Sequence, residues 1–198
     1  MPGERTRLDA GERRAQLVAL AVASLADQPL DALTIPALAR RAGVSRGLLF
    51  HYFGSGEGLH RVALETARDA MLHATEPAPE LPPRERLRDT LARTVAFVHD
   101  HGGTFASLVR GPASTDPDAR EIIDQARRAQ ADRVVAVFVE RGVADSDGLH
   151  RAARAWIAFA EELLVGVARG DEPADNDLVD YLVRSAESVV AAWEPPVA

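Results

Sequence analysis

The chain contains no cysteine and no lysine. Without cysteine there is no disulfide framework, no thiol nucleophile and no cysteine metal site. Without lysine, every basic contact falls to arginine, whose planar fork can grip an acceptor pair through two hydrogen bonds. No apolar run approaches the ~20 residues needed to span a bilayer. The N-terminal stretch MPGERTRLDAGERR lacks the apolar segment of a signal peptide. No segment alternates with period two for long enough to argue a strand, and there is no internal repeat. Together these absences predict an all-α protein with no membrane partner, expected in the cytoplasm. At 198 residues, 46% hydrophobic and 27% charged, the chain can bury a core as one domain or two small ones.

The net charge of −7 looks unfavourable for binding a polyanion until it is divided along the chain. Residues 1–58 carry seven Arg against six acids, whereas residues 59–198 carry sixteen Arg against twenty-four. Exposed charges beyond a Debye length of about 8–10 Å are screened, so the local field decides phosphate binding. A near-neutral head with local Arg clusters on an acidic body is compatible with specific binding of a polyanion and predicts weak non-specific binding.

The most informative stretch is Leu33 to Phe53, LTIPALARRAGVSRGLLFHYF. Thr34 is placed to cap a helix, Pro36 sits where a missing N–H is harmless, and Ile35, Leu38, Ala39 and Ala42 recur on one face. Gly43 suits the left-handed end of that helix, Val44 plugs the turn, and Ser45 caps the next helix. Leu49 and Phe53 share the inward face of this second helix. Arg46, Gly47, Leu48, Phe50, His51 and Tyr52 occupy its remaining sides. A plain αα-hairpin would expose Glu, Lys and Gln, yet Arg40 to Tyr52 holds three arginines and no acid. The layout is that of a helix-turn-helix whose second helix enters the DNA major groove.

Around it the spacing predicts about nine helices. One spans about Asp9 to Asp27, with Leu17, Val18, Leu20, Ala21 and Leu25 inward and Gln28-Pro29 ending it. A fourth, capped by Ser55, runs from about Glu57 to Ala74 and links head to body. EPAPELPP is a loop. Helices follow at about Arg84 to Asp100, Phe105 to Val109, Pro117 to Glu140, Leu149 to Ala168 and Asp177 to Trp193. His101-Gly102-Gly103 reads as a hinge, Gly111-Pro112 as a break, and the tail with Pro195-Pro196 as frayed. The expected division is a helix-turn-helix DNA-binding domain at 1–58 and a helical body at 59–198.

Three apparent chemical motifs are better explained otherwise. Gly43-Val44-Ser45-Arg46-Gly47 spells a nucleophile elbow, which needs a strand before it, whereas a helical pattern precedes it here. His99 and His101 are two apart on a helix and diverge, which disfavours a shared metal. Gly54-Ser55-Gly56-Glu57-Gly58 is too short, and lacks the strand, for a dinucleotide loop. No catalytic residue, metal site or cofactor is expected, and the chain does not read as an enzyme.

The segment Thr34 to Leu59, T-I-x-x-L-A-x-x-A-G-V-S-x-G-L-L-F-H-Y-F-x-S-x-E-x-L, resembles the DNA-binding signature of TetR-family transcriptional regulators. The resemblance implies a regulator, usually a repressor, that binds a double-stranded, palindromic or near-palindromic operator as a homodimer and is released by a small molecule. Arg46 and His51 are the candidates for base readout, Gly47 for close backbone approach and Leu48 for a thymine methyl. Thr34, Ser45 and Tyr52 are candidates for positioning phosphates. Two positions depart from the family pattern. Gly56 stands where a phosphate-contacting lysine is usual, and Phe50 replaces a common tyrosine.

In proteins similar to this one the helices from about Arg84 to Arg169 enclose a pocket. Phe97, Phe105, Trp156 and Phe159 are its candidate lining here, with Arg110 or His101 as polar contacts. The last two helices are apolar on more than one face, so each has two partners. One partner is the body's own core, and the other, as the resemblance implies, is the same pair in a second subunit. The interface candidates are Trp156, Ile157, Ala160, Leu164, Leu178, Tyr181, Leu182, Ser185 and Val189. The rival reading is a helical interaction protein that keeps a helix-turn-helix no longer able to bind DNA.

Overall fold

The computed structural model describes residues 9–110 and 117–193. The expected Gly111-Pro112 break and the Pro195-Pro196 tail lie outside the described residues. Among those described there are nine α-helices, one short 3₁₀ turn at Leu30–Ala32 and no strand. The helices are α1 (Ala10–Ser24), α2 (Ile35–Ala42), α3 (Arg46–Phe53), α4 (Gly56–Ala74), α5 (Pro83–Asp100), α6 (Gly102–Arg110), α7 (Pro117–Glu140), α8 (Asp147–Arg169) and α9 (Asn176–Trp193).

Local sequence explains most helix starts. Asp9 and Glu12 form a reciprocal capping box at α1, which satisfies two of the helix's free N–H groups. Thr34, Ser45, Ser55 and Ser146 each accept a hydrogen bond from a first-turn N–H of α2, α3, α4 and α8 respectively. The first helix stops at Ser24, earlier than Gln28-Pro29 suggests. Ser24 turns its hydroxyl back to the Leu20 carbonyl, and the following residues close as turns before Pro29.

Burial forms two clusters. The first gathers Leu17, Ala21, Leu25, Leu33, Leu38, Leu49 and Leu59 from α1 to α4, and α7 contributes Ala119 and Ile122. The second joins α5, α7, α8 and α9 around Val98, Val134, Phe138, Trp156, Leu182 and Val183. The boundary expected between residues 58 and 59 falls inside α4, which is continuous and contributes Leu59, Ala63 and Leu64 to the first cluster. Leu49 has no exposed surface, so Leu49→Ala would cost about 2–5 kcal/mol in transfer and cavity terms.

Gly102 and Gly103 were expected as a hinge and instead open α6. Their role is close packing. A Cβ on Gly102 would lie 2.6 Å from the Ala168 carbonyl oxygen, and one on Gly103 would lie 2.6 Å from that of Ala26. The α6 start is thereby pressed between the end of α8 and the segment after α1. Head and body also meet through Arg61, which pairs with Asp118 at 2.5 Å, and Arg68, which bonds Gln125.

Candidate nucleic-acid interface and internal cavity

Helix α3 is a short rod held from behind. Gly43 takes φ +65° at the end of α2, and the Val44 N–H then returns to the Ala39 carbonyl at 3.1 Å. Leu49 and Phe53 point into the core, which turns Ser45, Arg46, Gly47, Phe50 and His51 outward; Leu48 and Tyr52 are half-buried. Phe50 is 51% exposed, far more than an aromatic side chain needs for packing alone. Thr34 and Ser45 use an oxygen lone pair to accept from Ala37 and Leu48, and neither O–H donates to another of the described residues. His51 and Tyr52 rings sit 5.4 Å apart. Arg41 reaches Asp27 only at 3.7 Å, and both groups are well exposed. The Gly-x-Ser-x-Gly motif is the α2–α3 turn, with no strand before it.

Two supports of this head were not anticipated. His60 Nε2 donates to the Leu33 carbonyl at 2.7 Å and ties α4 to the residue just before α2. Gly58 packs so closely that a Cβ would overlap the Phe53 carbonyl, which fixes the α3–α4 corner. Gly58 lies within the quoted signature but carries no side chain to argue from, and the His60 contact spans too much sequence to be read from periodicity.

Two partly open, largely apolar cavities of about 180 and 200 Å³ lie among the helices. They share Met71, Phe105, Ala126 and Glu161 as common walls. Trp156 lines the first, Phe97 and His101 the second, and Phe105 both. The His101 ring stacks on Phe97 at 4.3 Å and its Nδ1 donates to the Phe97 carbonyl. Trp156 is fixed by its Nε1–H donating to Ser185 Oγ at 2.9 Å.

Phe159 and Arg110 do not join them. Phe159 is 39% exposed on the outer side of α8, against Tyr181 at 6.1 Å, because the inward positions of its turn are taken by Trp156 and Ala160. Arg110 leaves the last turn of α6 to pair with Glu162 at the surface. The interface candidates also divide. Trp156, Ala160, Leu164, Leu178 and Leu182 are buried within the subunit, since α8 packs against α5, α6, α7 and α9 at once. Ile157, Ser185 and Val189 are half-buried, and Tyr181 is exposed.

Charged groups edge the first cavity. Arg127 grips Glu161 through Nε and Nη2 at 2.9–3.1 Å and also meets Asp124, contacts that hold the guanidinium above its ordinary pKa. Arg86 pairs with Glu140 at 2.7 Å. Arg133 differs. Its Nη1 and Nη2 donate to the Thr75 and Leu72 carbonyls, each at 2.9 Å, and burial pushes its pKa down. Among the described residues no carboxylate pairs with it. No group of three or more His, Asp or Glu positioned to hold a metal occurs among the described residues. No described helix is long and apolar enough to cross a membrane.

An exposed helix-turn-helix joined through the continuous α4 to a helical body with two pockets has the architecture of a DNA-binding transcription regulator. Residues 17–62 match the family model "Bacterial regulatory proteins, tetR family", and residues 83–189 match "Tetracyclin repressor-like, C-terminal domain". The chain belongs to the TetR family, whose members are transcription factors and not enzymes. Among its relatives, the HTH-type transcriptional regulator BetI of Burkholderia cenocepacia is 34% identical over 83 residues, 40% of this chain and 43% of that one. The chain thus spans less than half the length of that relative. BetI of Paraburkholderia xenovorans aligns over 88% of this chain and 95% of its own at 24% identity. A solved TetR-family regulator from Streptomyces coelicolor shares the fold with a TM-score of 0.79, at 27% identity over 94% of this chain and 85% of that chain. A TetR-like regulator from Rhodococcus sp. RHA1 gives 0.76 at 24% identity, over 93% and 99%.

Proposed function

We propose that this TetR-family regulator is a homodimeric, ligand-responsive repressor that binds a palindromic or near-palindromic operator in the cytoplasm and is released by a small molecule. The observation that carries the DNA reading is the outward set on α3: Arg46 and His51 for base edges, Phe50 and Leu48 beside them, and the hydroxyls of Thr34 and Ser45 for phosphates. Tyr52, half-buried beside His51, is a further phosphate candidate.

The reading of a dimer rests on the outer side of α8 and α9. Phe159 and Tyr181 are exposed there among the small residues Ala155, Ala158, Ser188 and Ala192. Small residues let helix backbones approach, and aromatics supply contact area. A two-fold pair through this strip would present two α3 helices to major grooves ~34–36 Å apart. Phe97, His101, Phe105 and Trp156 belong to the proposed effector site through the cavities they line. Linkage requires effector and operator to weaken each other's binding by the same factor.

The test is a gel shift of the purified protein against DNA flanking its own gene. A saturable, sequence-selective shift supports the regulator. Failure to shift any flanking fragment at low salt supports the helical interaction protein with a degenerate helix-turn-helix.

A further inference from the structure

The largely apolar first cavity includes several polar side chains in its wall. Thr90 lines it and is only 7% exposed, and its Oγ1 has no hydrogen-bond partner among the described residues. That is unusual for a helix threonine, which normally bonds a carbonyl one turn back, as Thr94 does to Thr90 at 2.8 Å. Buried hydroxyls left without a partner are rare in proteins and call for an explanation. Thr94, Gln130 and Arg133 line the same cavity, whose remaining wall includes Leu87, Leu91, Val134, Trp156 and Leu164.

Among the described residues, Arg133 is the cation of that wall that forms no ion pair with an acid. Arg86 is matched by Glu140 and Arg127 by Glu161 and Asp124, so Glu161 presents a neutralised carboxylate to the cavity. Glu76 is near enough to favour the charge on Arg133, and Arg93 opposes it, but neither forms an ion pair with it. Guanidinium has five N–H donors. Nη1 serves Thr75 and Gln130 and Nη2 serves Leu72, while Nε donates to none of the described residues. The Nε–Nη2 side of the fork is therefore open to a bidentate acceptor.

Deepening the effector reading above, on which this rests, we propose that the cavity takes an amphipathic carboxylate, its anionic end on Arg133 and the Thr90 hydroxyl and its apolar body against Trp156 and Leu164. The same guanidinium holds the last carbonyls of α4, the helix that begins beside the recognition helix.

Calorimetric titration of the intact protein with sodium octanoate, 1-octanol and octylamine tests this without DNA. Octanoate is expected to bind at least tenfold tighter than either isostere. Thr90→Val should weaken octanoate several-fold and leave octanol unchanged, and Arg133→Gln should abolish the preference for the anion. Equal affinity for octanoate and octanol, tighter octylamine, or no binding of any of the three overturns the proposal. So does unaltered octanoate binding by Thr90→Val, which keeps the α4 anchor even if Arg133→Gln unfolds. An operator shift measured in parallel separates the two readings. DNA binding without octanoate binding sinks the ligand class alone, and octanoate binding without any DNA binding sinks the regulator.

Discussion

His60 Nε2 lies 2.7 Å from the carbonyl oxygen of Leu33, across 27 residues of chain. A carbonyl can only accept, so this nitrogen carries the proton, and the bond locks the start of α4 to the entrance of the helix-turn-helix. Replacing His60 by Phe keeps the ring and strands the Leu33 oxygen. The expected loss is about 1–3 kcal/mol of stability, the penalty for an unsatisfied part-buried acceptor. Urea unfolding checks it, with Arg61→Gln as an exposed control that should change stability by less than about 1 kcal/mol.

The first residue of α4 invites a gain of function. A side chain at Gly56 meets nothing within 4 Å, and its φ is not in the left-handed region. Gly56→Lys should therefore fold normally and place a cation at the family's usual phosphate contact. Anisotropy titrations over a range of salt should give a log K against log[salt] slope steeper by about two for a dimer, near 0.9 per added contact. An unchanged slope would show that position 56 stands away from the backbone.

Tyr181 and Phe159 touch on the outer face of α8 and α9 and are 47% and 39% exposed. Tyr181→Arg or Phe159→Glu leaves the subunit core intact and charges the proposed interface. Analytical ultracentrifugation should show monomer at micromolar concentration, and operator affinity should fall at least tenfold as the two half-sites uncouple. A variant that remains dimeric would move the interface elsewhere.

Arg86 donates to Glu140 and holds its carboxyl below the ordinary value of 4.5. A carboxylate with a depressed folded pKa adds stability that is present above its unfolded pKa and is lost as pH falls through the folded one. Glu140→Gln should thus flatten the acid limb of the stability curve below about pH 4.5 and leave its shape above pH 6 unchanged. Thermal melts from pH 3 to 8 would show it. An identical acid limb in both proteins would mean that the pair does not persist in solution.

What could be read beforehand was local. Thr34, Ser45 and Ser55 announce helix starts because a cap needs only the next three residues, and Gly43 announces a stop for the same reason. The inward face of α3 follows from Leu49 and Phe53 alone. Contacts between distant segments left no such trace. Arg133 sits in the apolar run of α7 as one more polar residue, and only the folded chain brings it to the end of α4. Trp156 and Leu182 could not be divided between core and interface, because a helix apolar on two sides gives the same pattern for both. Gly102 and Gly103 looked flexible in sequence, yet their missing Cβ atoms serve close packing.

Arg46 carries the central claim, that α3 reads base edges from its exposed first turn. The most direct measurement is anisotropy titration of the wild type and Arg46→Ala against a flanking-gene operator and its single-base variants. Saturable binding by the wild type is expected, with Arg46→Ala losing ~1–3 kcal/mol of discrimination at one base pair per half-site and keeping its other preferences. Equal weakening of Arg46→Ala on every sequence, with a shallower salt slope, would contradict the account and assign Arg46 to phosphate.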